Sequence, residues 1–255
     1  MDRRDFLKKT ALAAGAAMTV PASNVLAHTV GLTDEMPETE QVAPTGDKLK
    51  VLMINGSPRP DGNTFCALKE IETELQKHGV STEIIQIGRK PVRMCINCGG
   101  CHQNGGEGCV FDDDLCNEIA HKMMEAHALV VGTPVYYGQP NGGILSLMQR
   151  VFFSSGHCVQ NKPAAAVAVC RRGGATATLQ TMNMMFEMMN MPVVSSQYWN
   201  IVYGLGKGEA KLDTEGMQTM RTLASNLAWM LEKFHSGEPK APTHEREKKF
   251  MNFIR

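Results

Sequence analysis

The stretch KLKVLMINGSPRPDGNT, residues 48–64, decides the fold because it joins a buried strand to a polar turn and the start of a helix. Residues 48–55 form a near-continuous apolar run, which is typical of a strand buried on both faces of a sheet. Gly56 permits the tight turn that follows. Residues 63–79 carry apolar side chains at helical spacing. This order of strand, turn and helix predicts one unit of a parallel α/β sheet.

The same alternation continues along the chain. Further apolar runs predict four more strands, and amphipathic runs predict the helices between them. The predicted strands cover residues 81–88, 127–134, 164–170 and 192–199, and the predicted helices cover residues 114–126, 142–155, 175–191 and 214–235. Five strands that alternate with helices indicate one doubly wound domain over residues 48–255, without a second domain.

The charge of the chain argues against two classes of partner. The sequence has 26 Lys and Arg against 26 Asp and Glu, so its formal net charge is zero. Nothing in this balance favours a nucleic acid or an anionic membrane surface. Sulfur is the unusual feature of the composition, with 8 cysteines and 18 methionines.

The first 27 residues have the pattern of an export signal. A basic start is followed by a short apolar run and by the small-residue ending Val25-Leu26-Ala27, and the run is too short to span a bilayer. The segment resembles a twin-arginine signal, whose usual form R-R-x-F-L-K is matched by Arg3, Arg4, Phe6, Leu7 and Lys8. Residues 28–47 are polar and acidic and predict a flexible linker. We therefore expect a periplasmic or other extracytoplasmic location.

Polar residues follow the first strand at the place where α/β sheets bind ligands. Ser57, Asn63 and Thr64 offer small donors, and the next helix directs its free N–H groups and the positive end of its dipole to the same place. The pattern matches neither the dinucleotide fingerprint nor the nucleoside-triphosphate loop. It predicts a phosphate site, with a plain polar turn as the alternative.

Several separated stretches resemble the flavodoxin-like NADPH-dependent FMN reductase superfamily. Residues 56–64 resemble its phosphate loop, GTPVYYGQPNG (132–142) its second flavin loop, and RRGGAT (171–176) its third loop. Further stretches resemble one branch, the iron–sulfur flavoproteins: residues 198–204, 212–216 and 251–255. One departure is the replacement of Lys and Asp by Leu145 and Gln149 in the usual K-x-x-x-D-R pattern, in which Arg150 remains.

The resemblance implies a flavin-dependent oxidoreductase. It implies FMN on a five-stranded parallel sheet of order 2-1-3-4-5, with helices on both faces, in a homodimer or homotetramer that brings cluster and flavin of neighbouring subunits close. No catalytic residue is assigned. The residues assigned to FMN are Ser57, Arg59, Gly62, Asn63 and Thr64 at the phosphate, Pro134, Val135, Tyr136, Tyr137 and Gly138 along the ring, and Arg171, Gly173 and Gly174 at the third side.

Four cysteines with the spacing C-x2-C-x2-C-x7-C lie between the second strand and the next helix: Cys95, Cys98, Cys101 and Cys109. Three cysteines in seven residues resemble the cradle of a cubane cluster, and the nearby glycines let the backbone wrap closely around a bulky core. Zinc usually takes two C-x-x-C pairs that lie further apart, and disulfides are common in exported proteins, so both stay as alternatives. The resemblance implies a [4Fe–4S] cluster, since its branch carries this compact motif.

Two other features favour structural roles. The acidic run Asp112 to Asp114 is expected to cap the next helix rather than to act in acid–base chemistry. The methionine-rich residues 182–191 raise the question of Cu(I) binding. We expect instead a stripe of methionines that packs in the core or against a second subunit, because methionine fills irregular gaps well.

Together these features predict an electron-transfer flavoprotein in which FMN exchanges one or two electrons and the cluster exchanges one. NADPH is not expected outside the cytoplasm, so the predicted electron donor or acceptor is a redox protein, a quinone or another small molecule. Two alternatives stay open. One is a cluster-free NAD(P)H-dependent FMN reductase or quinone reductase, and the other is a thiol-redox module that uses Cys95 and Cys98 as a C-x-x-C pair.

Overall fold

A parallel sheet forms the centre of the part of the chain that the structure describes, residues 48–236. In this computed structural model the strands are β1 (Lys50–Asn55), β2 (Ser81–Gln86), β3 (Ala128–Tyr136), β4 (Gln139–Pro140), β5 (Ala164–Cys170) and β6 (Ile201–Tyr203). The parallel order is β2-β1-β3-β5-β6, and the two-residue β4 pairs antiparallel with the end of β3. Apart from this small addition the order is the predicted one, so the flavodoxin-like fold class is confirmed.

Helices cover both faces of the sheet. They are α1 (Asn63–Lys77), α2 (Gly100–Gln103), α3 (Cys116–Glu125), α4 (Gly142–Ser155), α5 (Ala175–Met188) and α6 (Thr214–Phe234), with single 3₁₀ turns at Gly156–Val159 and Glu209–Leu212. Val51 and Met53 of β1 belong to the core shared with α1 and α6, whereas Leu52 and Ile54 belong to the core shared with α3, α4 and α5. This burial on both faces explains why the strand is an unbroken apolar run.

The predicted position of the last strand is wrong. Within residues 192–199 only Val193 makes a bridge, to Ala164, and the edge strand β6 pairs with β5 later in the chain. Ser196 explains the shift, because its Oγ lies 2.7 Å from the Tyr198 carbonyl oxygen and 2.8 Å from Asn200 Oδ1. These contacts stabilise a polar turn that takes the chain away from the sheet before it returns.

The other predicted strands and helices are present, with ends that differ by no more than three residues. The export signal, the linker and residues 251–255 lie outside the described residues. No helix within residues 48–236 is both long and apolar enough to cross a membrane.

Gly56 marks the closest approach between the end of β1 and its neighbours. Its N–H donates to the Gly132 carbonyl oxygen at 2.7 Å. A Cβ atom at this position would lie 2.8 Å from that oxygen and 3.0 Å from Ile144 Cβ. Neither neighbour can yield easily, because one is backbone of a central strand and the other is a fully buried side chain.

We expect Gly56→Ala to lower the free energy of unfolding by about 1–3 kcal/mol, since the extra methyl group overpacks a rigid site. Urea unfolding followed by circular dichroism would measure the change. Gly142→Ala is the matched control, because a Cβ atom there, at the start of α4, meets no atom within 4 Å. An equal loss of stability in both variants would contradict the explanation.

Candidate functional site

The three predicted flavin loops leave neighbouring strands at one edge of the sheet. They follow the carboxyl ends of β1, β3 and β5, which pair in parallel next to one another. This is the edge at which open α/β sheets bind their ligands. The structure therefore brings together the three groups of residues that the sequence assigns to FMN.

The phosphate loop is closed by its own hydrogen bonds. The Ser57 N–H donates to Asn55 Oδ1 at 3.1 Å, and the Arg59 N–H donates to Ser57 Oγ at 3.1 Å. The Ser57 hydroxyl accepts in this bond, so its own proton can serve a phosphate oxygen. The Arg59 side chain extends into solvent.

The start of α1 is suited to an anion. Gly62 precedes the helix, no side chain caps it, and its first turn contains no acidic residue. The first N–H groups of the helix and the positive end of its dipole therefore face the phosphate loop. Thr64 lies in this first turn with its side chain buried.

The sequence assigns Asn63 to the phosphate, but its side-chain amide bonds another loop. Its Nδ2 donates to the Gly206 carbonyl oxygen at 2.8 Å, and its Oδ1 accepts from the Ala210 N–H at 3.1 Å. The amide thus fastens the phosphate loop to a fourth loop, residues 204–210, and only the Asn63 backbone N–H stays at the helix start. This fourth loop was not predicted from the sequence, although its three glycines, Gly204, Gly206 and Gly208, are a signal of a tight turn.

The second flavin loop is a two-residue hairpin. Tyr137 and Gly138 have φ values of 51° and 78° between the paired ends of β3 and β4, which is the geometry of a type I′ turn. The Tyr137 side chain is fully exposed and that of Tyr136 is 46% exposed, while Pro134 and Val135 are half-buried. The loop therefore presents two aromatic rings beside a narrow turn.

The third loop touches the second. Gly174 has a φ of 84°, and a Cβ atom on it would lie only 2.6 Å from the Gly138 Cα. Gly173 and Arg171 precede it in the same turn and are exposed. Because a side chain at Gly174 would collide with the Gly138 backbone, only glycine at position 174 allows this approach, and the two loops form one continuous wall.

The four cysteines of the motif line one cavity. Cys95 and Cys98 are exposed at its mouth, Cys109 is half-buried, and Cys101 is buried on α2. Burial raises the pKa of the Cys101 thiol, and the nearby Cys109 and Cys95 raise it further. Apolar side chains line the same cavity: Met94, Ile96, Val110 and Phe153.

The cysteines surround this cavity without converging on a point. Within residues 48–236 no three His, Cys, Asp or Glu side chains are close enough to hold a metal ion. All eight cysteines are free thiols in the structure. The arrangement is one of four sulfur atoms around a shared space.

Asn117 fixes the backbone of Cys109. Its Oδ1 accepts from the Cys109 N–H at 2.8 Å, and its Nδ2 donates to the Cys109 carbonyl oxygen at 3.0 Å. The acidic run lies before α3 and not in its first turn: Leu115 is the N-cap residue, and Asp114 Oδ1 accepts from the Cys116 N–H at 3.0 Å. The last cysteine of the motif is thus anchored to a helix.

A buried ion pair that the sequence did not predict lies beside the cavity. The side chains of Arg150 and Asp114 are 1% and 5% exposed and form a direct salt bridge. Burial disfavours the charged guanidinium, but the neighbouring Cys109 and Asp114 outweigh it and raise the pKa of Arg150. The only signal in the sequence was the persistence of Arg150 in a motif whose other charges are replaced.

Helix α4 separates the two sites. It begins directly after the flavin hairpin, and Phe153 and Ser154 near its end line the cysteine cavity. At 1.5 Å per residue, Gly143 and Phe153 are about 15 Å apart along the helix. Within one chain, the flavin loops and the cysteine cavity therefore lie at opposite ends of a helix.

The methionine-rich helix packs in the core, as expected. Met182 and Phe186 are buried in the cluster shared with α4, and Met185 and Met189 pack against it. Met184 and Met188 are the exposed methionines of the helix.

We expect Asp114→Ala to lower the free energy of unfolding by about 3–5 kcal/mol, because it leaves the Arg150 charge buried without its partner. Asp113→Ala is the control, since Asp113 pairs with Arg93 on the surface and is itself exposed. Urea unfolding would compare the two variants. Similar small losses of stability in both variants would show that the buried ion pair contributes no more than the surface pair.

Comparison with known proteins agrees with this geometry. Residues 49–205 match the family model of the NADPH-dependent FMN reductases. The chain is 35% identical over 188 residues to the iron–sulfur flavoprotein MJ1083 of Methanocaldococcus jannaschii, a match that covers 71% of this chain and 96% of the relative. It is 30% identical over 198 residues to an iron–sulfur flavoprotein of Methanosarcina thermophila, a match that covers 75% of this chain and 100% of the relative.

A solved structure supports the fold alone. The WrbA-like flavodoxin of Agrobacterium tumefaciens superposes with a TM-score of 0.51 at 15% identity, covering 73% of this chain and 98% of that one. Sheet order, loop positions, family model and relatives agree with one another. The chain therefore belongs to the NADPH-dependent FMN reductase family of flavin-dependent oxidoreductases, and to its iron–sulfur flavoprotein branch.

Proposed function

We propose that the protein is an electron-transfer flavoprotein that holds FMN at the three flavin loops and a [4Fe–4S] cluster at Cys95, Cys98, Cys101 and Cys109. The observation that carries the proposal is the single cavity lined by all four cysteines. When bound, FMN would exchange one or two electrons and the cluster one, which couples two-electron to single-electron chemistry.

The residues around the cavity fit such a group. Arg150 Nε is buried and has no hydrogen-bond partner among the described residues, although Arg150 lines the cavity. A buried donor without an acceptor is costly, and sulfur atoms of a cluster would supply one. The apolar lining would keep water from the remaining sides.

The flavin loops divide the work of binding FMN. The Ser57 hydroxyl, the N–H groups at the start of α1 and the exposed Arg59 would bind the phosphate. Tyr136 and Tyr137 would pack against the ring. Arg171 would close the third side from the loop that Gly174 brings against the hairpin.

The location and partners form part of the proposal. Residues 1–27 support export by the twin-arginine route, which accepts proteins folded around their cofactors. The electron donor or acceptor is then a redox protein, a quinone or another small molecule. We also propose a homodimer or homotetramer, because the cysteine cavity and the flavin loops lie at opposite ends of α4 and only a second copy would bring them together.

A thiol-redox module is the second candidate. Its support is the exposure of Cys95 and Cys98, which form a C-x-x-C pair at the mouth of the cavity. A cluster-free NAD(P)H-dependent FMN reductase would use the flavin loops and leave the cysteines without a cofactor.

Cofactor content of the full chain, purified without oxygen, tests the proposal. We expect iron and sulfide in the proportions of one [4Fe–4S] cluster, and one FMN, per chain. FMN without iron would support the cluster-free reductase. A chain that contains neither cofactor and has two titratable thiols would support the thiol-redox module.

The choice of electron donor is tested on the same sample. We expect NADPH, added anaerobically, to leave the flavin absorbance unchanged over minutes, because an exported protein does not meet this nucleotide. Dithionite is the control that shows the flavin to be reducible. Rapid bleaching of the flavin by NADPH would contradict the proposal that another molecule donates the electrons.

The contact between the flavin loops gives a further test. We expect Gly174→Ala to weaken FMN binding about tenfold or more, because a side chain with this positive φ is strained by about 1–2 kcal/mol and its Cβ atom would push the loops apart. Gly173→Ala is the matched control, since a Cβ atom there meets nothing within 4 Å. Titration of the apoprotein by flavin fluorescence would measure both affinities, and equal values would contradict the role of the contact.

A further inference from the structure

Arg150 connects the two ends of the cysteine segment. Its Nη1 donates to the Arg93 carbonyl oxygen at 3.2 Å, just before Cys95, and its Nη2 donates to the Phe111 carbonyl oxygen at 3.1 Å, just after Cys109. One planar guanidinium therefore fixes where the segment enters and where it leaves the cavity.

The same side chain lines the cavity beside the motif. Arg150 and all four cysteines line this cavity, and Asn117 fixes the backbone of Cys109 by bonding both its N–H and its carbonyl oxygen. The chain around Cys109 is thus held by two polar side chains, Asn117 at Cys109 itself and Arg150 at Phe111.

The donors of Arg150 are not all used. A guanidinium carries five N–H donors. Nη1 donates to the Arg93 carbonyl oxygen and to Asp114, and Nη2 donates to the Phe111 carbonyl oxygen, but Nε has no acceptor within the described part of the chain. Arg150 lines the cysteine cavity. A ligand bound in this cavity would supply the acceptor.

Asp114 changes what this donor can do. Its carboxylate lies against the guanidinium, so the pair brings no net charge to the cavity. What Arg150 offers to a bound group is directed N–H donors rather than a free positive charge, and such donors set both the retention and the potential of a sulfur-ligated centre.

We propose that Arg150 is a positioning residue of the cysteine centre, which holds the chain on either side of the motif in place and donates an N–H group to sulfur of the bound cluster. This inference rests on the proposed function. It assigns to Arg150 a role in cluster retention and potential that is separate from the binding of FMN at the other end of α4.

Two variants test it. Arg150→Lys keeps the positive charge but loses the planar array of donors. The double variant Arg150→Met with Asp114→Asn leaves no unpaired buried charge, so it protects the fold while removing every donor. Arg93→Gln is the matched control, because its side chain is exposed and pairs with Asp113 rather than with a cysteine.

The measurements are iron release to a chelator, cluster potential from an anaerobic redox titration followed by electron paramagnetic resonance, and FMN affinity. In both Arg150 variants we expect iron release to be about tenfold faster and the potential to be more negative, since lost donors to sulfur disfavour the added electron. FMN affinity should stay within about twofold of the native value, and Arg93→Gln should match the native protein in all three.

Two results would overturn the inference. One is iron release and potential in the Arg150 variants equal to those of Arg93→Gln. The other is a parallel fall in FMN affinity and iron retention, which would reduce Arg150 to general packing. A native chain that binds FMN but takes up no iron would instead refute the cluster in the proposed function, and with it the inference.

Discussion

Parallel pairing of β1, β3 and β5 is the constraint on which the rest of the molecule depends. Strands that pair in parallel must all end at the same edge, so the three loops that follow them are neighbours whatever their distance in sequence. The sheet is buried on both faces, so apolar side chains of the strands fix this register without the side chains of the loops. Their small and polar residues can then serve a ligand.

The cysteine segment is stabilised in a different way. Residues 95–109 contain one short helix, α2, and the four apolar side chains around the cavity are among the large hydrophobic residues left exposed. Polar contacts replace a hydrophobic core there: Asn117 holds Cys109, and Arg150 binds the backbone at both ends. A loop of this kind keeps a defined shape while Cys95 and Cys98 stay accessible.

Much of this arrangement could be predicted from the sequence, because it follows from local patterns. Apolar runs such as residues 164–170 locate strands, and glycines such as Gly174 locate close approaches. What could not be predicted depends on pairs of residues far apart in the chain. The ion pair of Asp114 and Arg150 spans 36 positions and the contact of Asn63 with Gly206 spans 143, and no local pattern announces either. The edge strand β6 was misplaced because two valines made residues 192–199 as apolar as a strand, while the turn at Ser196 depends on contacts of a few side chains.

Helix α4 acts as a spacer of fixed length. The Asn141 side chain caps it immediately after the flavin hairpin, and Arg150 and Phe153 must reach the cavity from its far end. One inserted or deleted residue would turn everything beyond it by about 100°, since an α-helix has 3.6 residues per turn. Arg150 would then leave the cysteines, whatever residue had been added. Substitutions on the outer surface of α4 are therefore tolerable over evolution, whereas insertions and deletions within it are not. Selection must preserve the number of residues between the flavin hairpin and Arg150.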